Sequence, residues 1–354
     1  MDNNSSINRN YAKYIKYKTK YLSLKHFVHQ IGGTNGNPTT SWGAHNFNMI
    51  PFNVIYPNLN INDAIKLSQT SKTFRAQIYN SRPFTYEIQT FEQGRSLMQT
   101  FRNVQLIIRD AINFTNEQLQ QLTTNLVELD LSHNEIITDE TLSHLRNLII
   151  LDLSDNSKIT DEGIKGLTNL TDLILSYNNK ITDEGIKDLK KLTSLDLHSN
   201  EIISDEGIRG LIGLTTLILG ANNKITNEGI KGLPGLTTLN LSNNTKITDD
   251  GIKSLTNLTT LYLINNSTIT DQGIKGLTKL TTLNLAFNNK ITDAGIKGLV
   301  GLTALNLYES EKITDEGIKD LINLTSLTVY KKSKITQEAV RILNEKTGFK
   351  LKLS

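Results

Sequence analysis

Residues 236–257 read LTTLNLSNNTKITDDGIKSLTN, and from about residue 104 to its end the chain consists of variations on this stretch. Within it, Leu239 and Leu241 alternate with Asn240, the period-two pattern of a short strand with leucines on one face and polar residues on the other. Leu126, Leu148, Leu170, Leu192, Leu214, Leu236, Leu258, Leu280, Leu302 and Leu324 hold the same place every 22 residues, without an insertion. A fixed period of this length marks an array of units, none of which can bury its apolar face alone. Stacked at about 4.8 Å, ten such strands predict a parallel sheet roughly 45 to 50 Å long.

The rest of the unit supports the same reading. An Asn follows the strand at 134, 156, 178, 200, 222, 244, 266 and 288, where its amide can satisfy backbone groups at the turn; this is a structural ladder, not a ligand site. Next comes Lys-Ile-Thr-Asp-Glu-Gly-Ile-Lys, in which Thr caps a short helix and Asp and Glu lie at its positive end. The Gly within that helix, at 163 and every 22 residues to 317, implies close packing against the adjacent turn. The ends depart from the pattern: Thr141 and Ala339 replace Gly, and Ser310 and Lys332 interrupt the Asn series. Leu106 and Ile108 suggest an irregular first strand, and Phe349, Leu351 and Leu353 a last one.

With its Leu-x-x-Leu-x-Leu-x-x-Asn core, the region resembles a leucine-rich-repeat protein. The resemblance implies an α/β solenoid, a horseshoe with a parallel concave sheet and short convex helices. The helical half, Ile-Thr-Asp-Glu-Gly-Ile, is similar to the subtype found in F-box proteins, although those often have Cys where this chain has Asn. Residues 50–75, IPFNVIYPNLNINDAIKLSQTSKTFR, in turn resemble an F-box, the helical motif that docks a substrate receptor onto Skp1. Ile50-Pro51 stand where that family has Leu-Pro, and residues 63–72 track its second helix. The resemblance implies adaptor-facing roles for Pro51, Ile55, Leu59, Leu67 and Phe74. The segment between Pro51 and Asp63 is shorter than in the family, and Pro57 should end or kink the first helix. The alternative is a helical region that only covers the first repeat.

Three regions follow: a basic tail and linker over 1–46, the F-box-like region and cap over 47–100, and the solenoid over 101–354. Residues 11–28, YAKYIKYKTKYLSLKHFV, interleave Lys with Tyr, Leu and Ile at helical spacing. This run resembles the N-terminal tag of many proteins of mimivirus-like giant DNA viruses. Residues 31–46 are rich in Gly, Asn, Thr and Pro and read as a linker. The chain has 354 residues, a net charge of +3 and no cysteine. Disulfides and thiolate chemistry are thereby excluded, and an intracellular setting, the host cytoplasm, is expected. No stretch reaches the length of a membrane span, and the small net charge gives no general nucleic-acid signal.

The six histidines lack metal-ligand spacing, and no phosphate loop or nucleophile–base set stands out from the repeat, so no cofactor and no enzymatic activity are expected. Function is expected on the outward strand positions, which vary while the leucines do not. Between the two core leucines stand Asp130, Asp152, Ile174, Asp196, Ile218, Asn240, Tyr262, Asn284, Asn306 and Thr328, acidic early and neutral late. Flanking positions add Tyr177, His198, Phe287, Tyr308 and Tyr330. Aromatic side chains on a rigid face bury large area at little entropic cost, so Tyr262, Phe287, Tyr308 and Tyr330 are the expected contacts for a protein partner. Two rows of basic residues, one from Lys158 to Lys334 and one from Lys165 to Lys319, are expected to be neutralised by matching acidic rows. A monomer is expected outside any complex.

Overall fold

The structure, a computed structural model, describes residues 83–101, 103–330 and 333–348. The chain divides into two compact units, residues 1–82 with 99–103 and residues 83–98 with 104–354. The second unit holds the repeats. Its strands are β1 (Phe84–Glu87), β2 (Val104–Ile108), β3 (Leu126–Asp130), β4 (Ile150–Asp152), β5 (Asp172–Ile174) and β6 (Ser194–Asp196). They continue as β7 (Thr216–Ile218), β8 (Thr238–Asn240), β9 (Thr260–Tyr262), β10 (Thr282–Asn284), β11 (Ala304–Leu307) and β12 (Ser326–Val329). All twelve pair in parallel, in chain order, within one open sheet.

From β3 onward the register is the sequence period itself: Thr260 faces Thr282 and Leu261 faces Leu283, each pair 22 residues apart. Leu106 and Ile108 lie in the second strand, β2, and not the first, because Phe84–Glu87 adds a strand before them. A register shift between Leu106 and Ile107 marks where the irregular start joins the strict repeat. The expected last strand at Phe349, Leu351 and Leu353, the Lys332 position, and the F-box-like residues Pro51, Ile55, Leu59, Leu67 and Phe74 lie outside the described residues, as does the basic tail.

Each repeat buries the same set. In residues 236–257, Leu236, Leu239, Leu241, Ile247, Ile252 and Leu255 are all at most 2% exposed. Burying a side chain of this size stabilises by about 1.5 to 3 kcal/mol, so the leucine layer is the main driving term. The buried Asn side chains close the turn beneath it. Asn222 donates from Nδ2 to the Leu197 and Asn200 carbonyls of the preceding repeat, at 3.3 and 2.6 Å. Its Oδ1 accepts from the Lys224 and Ile225 amides, both at 3.0 Å. All of the amide's strong directions are used, and the same set recurs from Asn156 to Asn288. Ser310, where Asn is missing, keeps one of these bonds by donating to the Leu285 carbonyl.

A ten-residue helix, Phe91–Thr100, lies between β1 and β2, and the helices of the repeats are single turns such as Asp161–Ile164 and Asp183–Ile186. The Asp at each start does more than complement the helix dipole. Asp183 accepts from the Ser204 amide and hydroxyl of the next repeat, at 2.8 and 2.5 Å. Ser204 in turn accepts from Glu206 N at 3.3 Å, capping its own helix. The carboxylate that makes this link occupies the space beside Gly207, where an added Cβ would stand 2.5 Å from Asp183 Oδ1. Close packing between turns therefore explains the glycine, and its neighbour is the Asp of the repeat before. A final helix, Gln337–Thr347, ends at Gly348 in the left-handed region, φ 71°.

Gly207→Ala should displace Asp183 from Ser204 and cost about 1 to 3 kcal/mol in urea unfolding. Gly166, with no atom within 4 Å of an added Cβ, gives the control. Gly166→Ala should stay within about 0.5 kcal/mol of wild type or stabilise slightly. Equal effects of the two changes would contradict the packing account.

Candidate binding face of the sheet

With the leucines turned inward, the opposite side chains of the short strands form a continuous outer face. Four positions per repeat project from it: the two residues flanking each central leucine and the pair that follows the strand. In the second of these places Asp130, Asp152 and Asp196 each accept, through Oδ1, the amide two residues on, at Ser132, Ser154 and His198, all at 2.8 Å. Asn240, Asn284 and Asn306 make the same bond to Ser242, Ala286 and Tyr308, at 2.9 to 3.0 Å.

Parallel pairing sets like charges side by side. Asp130 and Asp152 are register partners on β3 and β4, with Asp172 and Asp196 on the next two strands. Burial pushes the Asp152 carboxyl above the usual carboxylate range, against the hydrogen bonds from Ser154, and Asp130 and Asp196 add to the rise. Arg109 answers charge only at the early edge, lying 3.4 Å from Glu87 and 3.2 Å from Glu128.

The residue after each strand turn is left-handed without being glycine, from His133 through Tyr177 and Phe287 to Glu309, with φ between 49° and 57°. From His133 to Phe287 the amide of each continues the parallel ladder: Tyr177 N donates to His198 O at 2.9 Å and Phe287 N to Tyr308 O at 2.8 Å. Those two bonds bring rings together. Phe287 meets Tyr308 edge-on, centroids 5.3 Å apart, and Tyr308 meets Tyr330 at 5.2 Å. Phe287 is 45% exposed, while Tyr308 and Tyr330 are half-buried. Tyr262, on β9, is half-buried on the same face, and no ring contact to it occurs among the described residues.

The second ring pair was not anticipated as a unit. Tyr177, 58% exposed, meets His198 edge-on at 5.3 Å, with its Oη 3.2 Å from His198 Nε2. Gly220 gives the imidazole its room, since a Cβ there would lie 2.5 Å from His198 Nδ1. The signal was present as a spacing: 177 to 198 and 287 to 308 are both 21 residues, the step from a left-handed position to the preceding place of the next repeat.

Across the helices, Lys165, Lys187, Arg209, Lys231, Lys253 and Lys319 each meet a carboxylate three residues earlier at 2.5 to 2.8 Å. Lys275 and Lys297 of the same row follow Gln272 and Ala294 and form no ion pair among the described residues, so the row is neutralised at six of its eight places. The other differs: among the described residues, none of Lys158, Lys180, Lys224, Lys246, Lys290, Lys312 and Lys334 forms an ion pair. Among the described residues no three His, Asp or Glu side chains converge as metal ligands, and no helix is long and apolar enough to cross a membrane.

Because the folded protein holds the Asp152 proton more tightly than the unfolded chain does, ionising it costs stability as pH rises through the carboxylate range. Asp152→Asn keeps the acceptor for the Ser154 amide and removes that cost. The variant should show a higher Tm at pH 7, with the difference closing as pH falls below about 4. Parallel melting curves for the two proteins across that range would refute the assigned cause.

Comparison with known proteins agrees with this geometry. Family models described as leucine rich repeats, in two copies, match residues 168–210, 212–255 and 256–299, and a leucine rich repeat model matches 124–181. No curated protein matches. Among solved structures the chain is similar to an internalin, InlF, of Listeria monocytogenes, at 22% identity over 82% of this chain and 93% of that one, TM-score 0.55. It is also similar to internalin C2 of the same organism, at 31% identity over 61% of this chain and 84% of that one, TM-score 0.39. A third likeness is to the mouse RP105/MD-1 complex, at 20% identity over 70% of this chain and 45% of that one, TM-score 0.51. Residues 124–299 are leucine-rich repeats, and the unit built on them folds as a leucine-rich-repeat solenoid.

Proposed function

We propose that the chain is a protein-binding scaffold that captures its target on the outer face of the sheet, through Phe287, Tyr308 and Tyr330 with Tyr262 beside them. The observation that carries this reading is the three-ring stack. Edge-on rings hold one another in place, so little side-chain freedom remains to be lost on binding, and aromatic anchors of this kind dominate interface energetics. The scaffold performs no bond chemistry and needs no cofactor.

The resemblance of residues 50–75 to an F-box supports a finer reading. In it the chain is a substrate receptor of an SCF-type ubiquitin ligase, with Pro51, Ile55, Leu59, Leu67 and Phe74 facing a Skp1-like adaptor. The solenoid then raises the effective concentration of target lysines near a ligase held elsewhere in the complex. The second reading is an interaction or structural protein without a ubiquitin link, in which the helical region only covers the solenoid's end.

Replacing Tyr262, Phe287, Tyr308 and Tyr330 together by Ala should leave the circular dichroism of the solenoid unchanged and lower retention of captured proteins at least tenfold, as loss of several anchors implies. Undiminished retention by the folded variant would rule the patch out. The adaptor reading is tested by pull-down with purified eukaryotic Skp1. Wild type should bind, and a Pro51→Ala/Leu67→Asp variant should not. A wild type that fails to bind leaves the second reading.

A further inference from the structure

We propose that the sheet face takes a segment of a partner protein that crosses the strands, with cationic side chains over β3 to β6 and an apolar side chain against Phe287 and Tyr308. This rests on the scaffold reading above and adds the chemistry and direction of the occupant. The amide bond made by the early-strand aspartates does not need their charge. Asn240, Asn284 and Asn306 make the bond that Asp130, Asp152 and Asp196 make, at nearly the same length. Asp152 accepts the Ser154 hydroxyl as well, at 2.6 Å, but beyond that bond a carboxylate at those places adds repulsion between neighbouring strands, and among the described residues no ion pair joins a cation to Asp130, Asp152, Asp172 or Asp196. An occupant bearing Lys or Arg offsets that repulsion, whereas a neutral or acidic one meets it in full.

A second feature lies at the same end. Tyr177 stands beside His198 at the far end of β5 and β6, largely exposed, and an aromatic face beside carboxylates suits an ammonium or guanidinium group. The two ring clusters are built alike, each from a left-handed aromatic and the aromatic 21 residues on. They are five repeats apart, which at about 4.8 Å per strand is roughly 24 Å, the span of about seven residues of extended chain. The path between them carries no charged residue beyond β6, passing Ile218, Gly220, Ala221, Tyr262 and Ile264. It also passes Ser242, whose buried Oγ has no hydrogen-bond partner.

The test uses the full chain and a fluorescein-labelled synthetic peptide of four lysines, a six-residue Gly/Ser spacer and one Trp, with a four-glutamate counterpart. Anisotropy is read at low salt and at about 0.5 M salt, where exposed charge is screened. The lysine peptide should bind and the glutamate peptide should not. Asp130→Asn/Asp152→Asn/Asp196→Asn, whose fold the native asparagines vouch for, should weaken the lysine peptide at least tenfold and abolish the salt dependence. Phe287→Ala/Tyr308→Ala should weaken it similarly while keeping the salt dependence. Loss in the aromatic variant alone leaves the scaffold reading standing and overturns the cationic end. Loss in the charge variant alone removes the aromatic anchor and overturns the crossing path. Equal binding of both peptides overturns the proposal outright.

Discussion

A single side-chain amide, repeated, holds the molecule in register. At each turn the chain leaves the strand with carbonyls and amides that no regular ladder can reach, and leaving them unpaired in the interior would cost about 1 to 3 kcal/mol each. Asn222 answers four of them at once, two in its own repeat and two in the one before. Because its reach spans two repeats, it fixes both the length of the unit and the pitch of the stack. A unit one residue longer would carry the amide away from one set of partners. The link from Asp183 to Ser204 does the same on the helical side, and Gly207 is the space that link requires.

The consequence for function is a separation of duties. Leucines, buried asparagines and the Asp-to-Thr or Asp-to-Ser links use the interior and the turns, and leave the outer face of the sheet unconstrained by the fold. The left-handed position shows this most clearly. Asn243 and Asn265 occupy it in two repeats, and Asn tolerates that conformation better than a bulky ring does. Tyr177 and Phe287 are thus poorer choices for the backbone than the chain itself demonstrates elsewhere. Their rings gain an edge-on neighbour, but the neighbour is also an outward residue of the face. The stability of the repeat does not call for either cluster, which is what the proposed surface role would account for.

The period, the strand, the inward leucines, the Asn ladder and the capping Thr were all legible in the sequence, because each depends on contacts one repeat away and recurs at a fixed offset. Sequence alone places the Asp at the positive end of its helix and no further, since a local argument cannot see that Asp183 and Ser204, 21 residues apart, are neighbours. Phe84–Glu87 escaped notice for a related reason: its link to β2 is set by pairing at the sheet edge and not by the period, so no recurring signal announces it. The aromatic patch was half legible. Composition located Phe287, Tyr308 and Tyr330, but which rings touch depends on the left-handed turn that throws residue 287 toward the next repeat and leaves Tyr262 apart.

Nearest-neighbour bonding also decides how such a face can select a partner. Every repeat from β3 to β12 is fastened to the next by backbone pairing, and most of them by the amide and carboxylate links as well, so the distance between the two ring clusters is set by counting strands. A loop-borne site can adjust to its ligand; a site distributed along a stack of fixed pitch cannot do so without loosening several buried bonds at once. Discrimination on this surface therefore comes from spacing as much as from chemistry. On the proposed reading, a partner gains from the Tyr177 and Phe287 clusters together only if its own groups are about five strand widths apart, roughly 24 Å. One whose groups are closer gains from a single end, with the affinity of a single anchor.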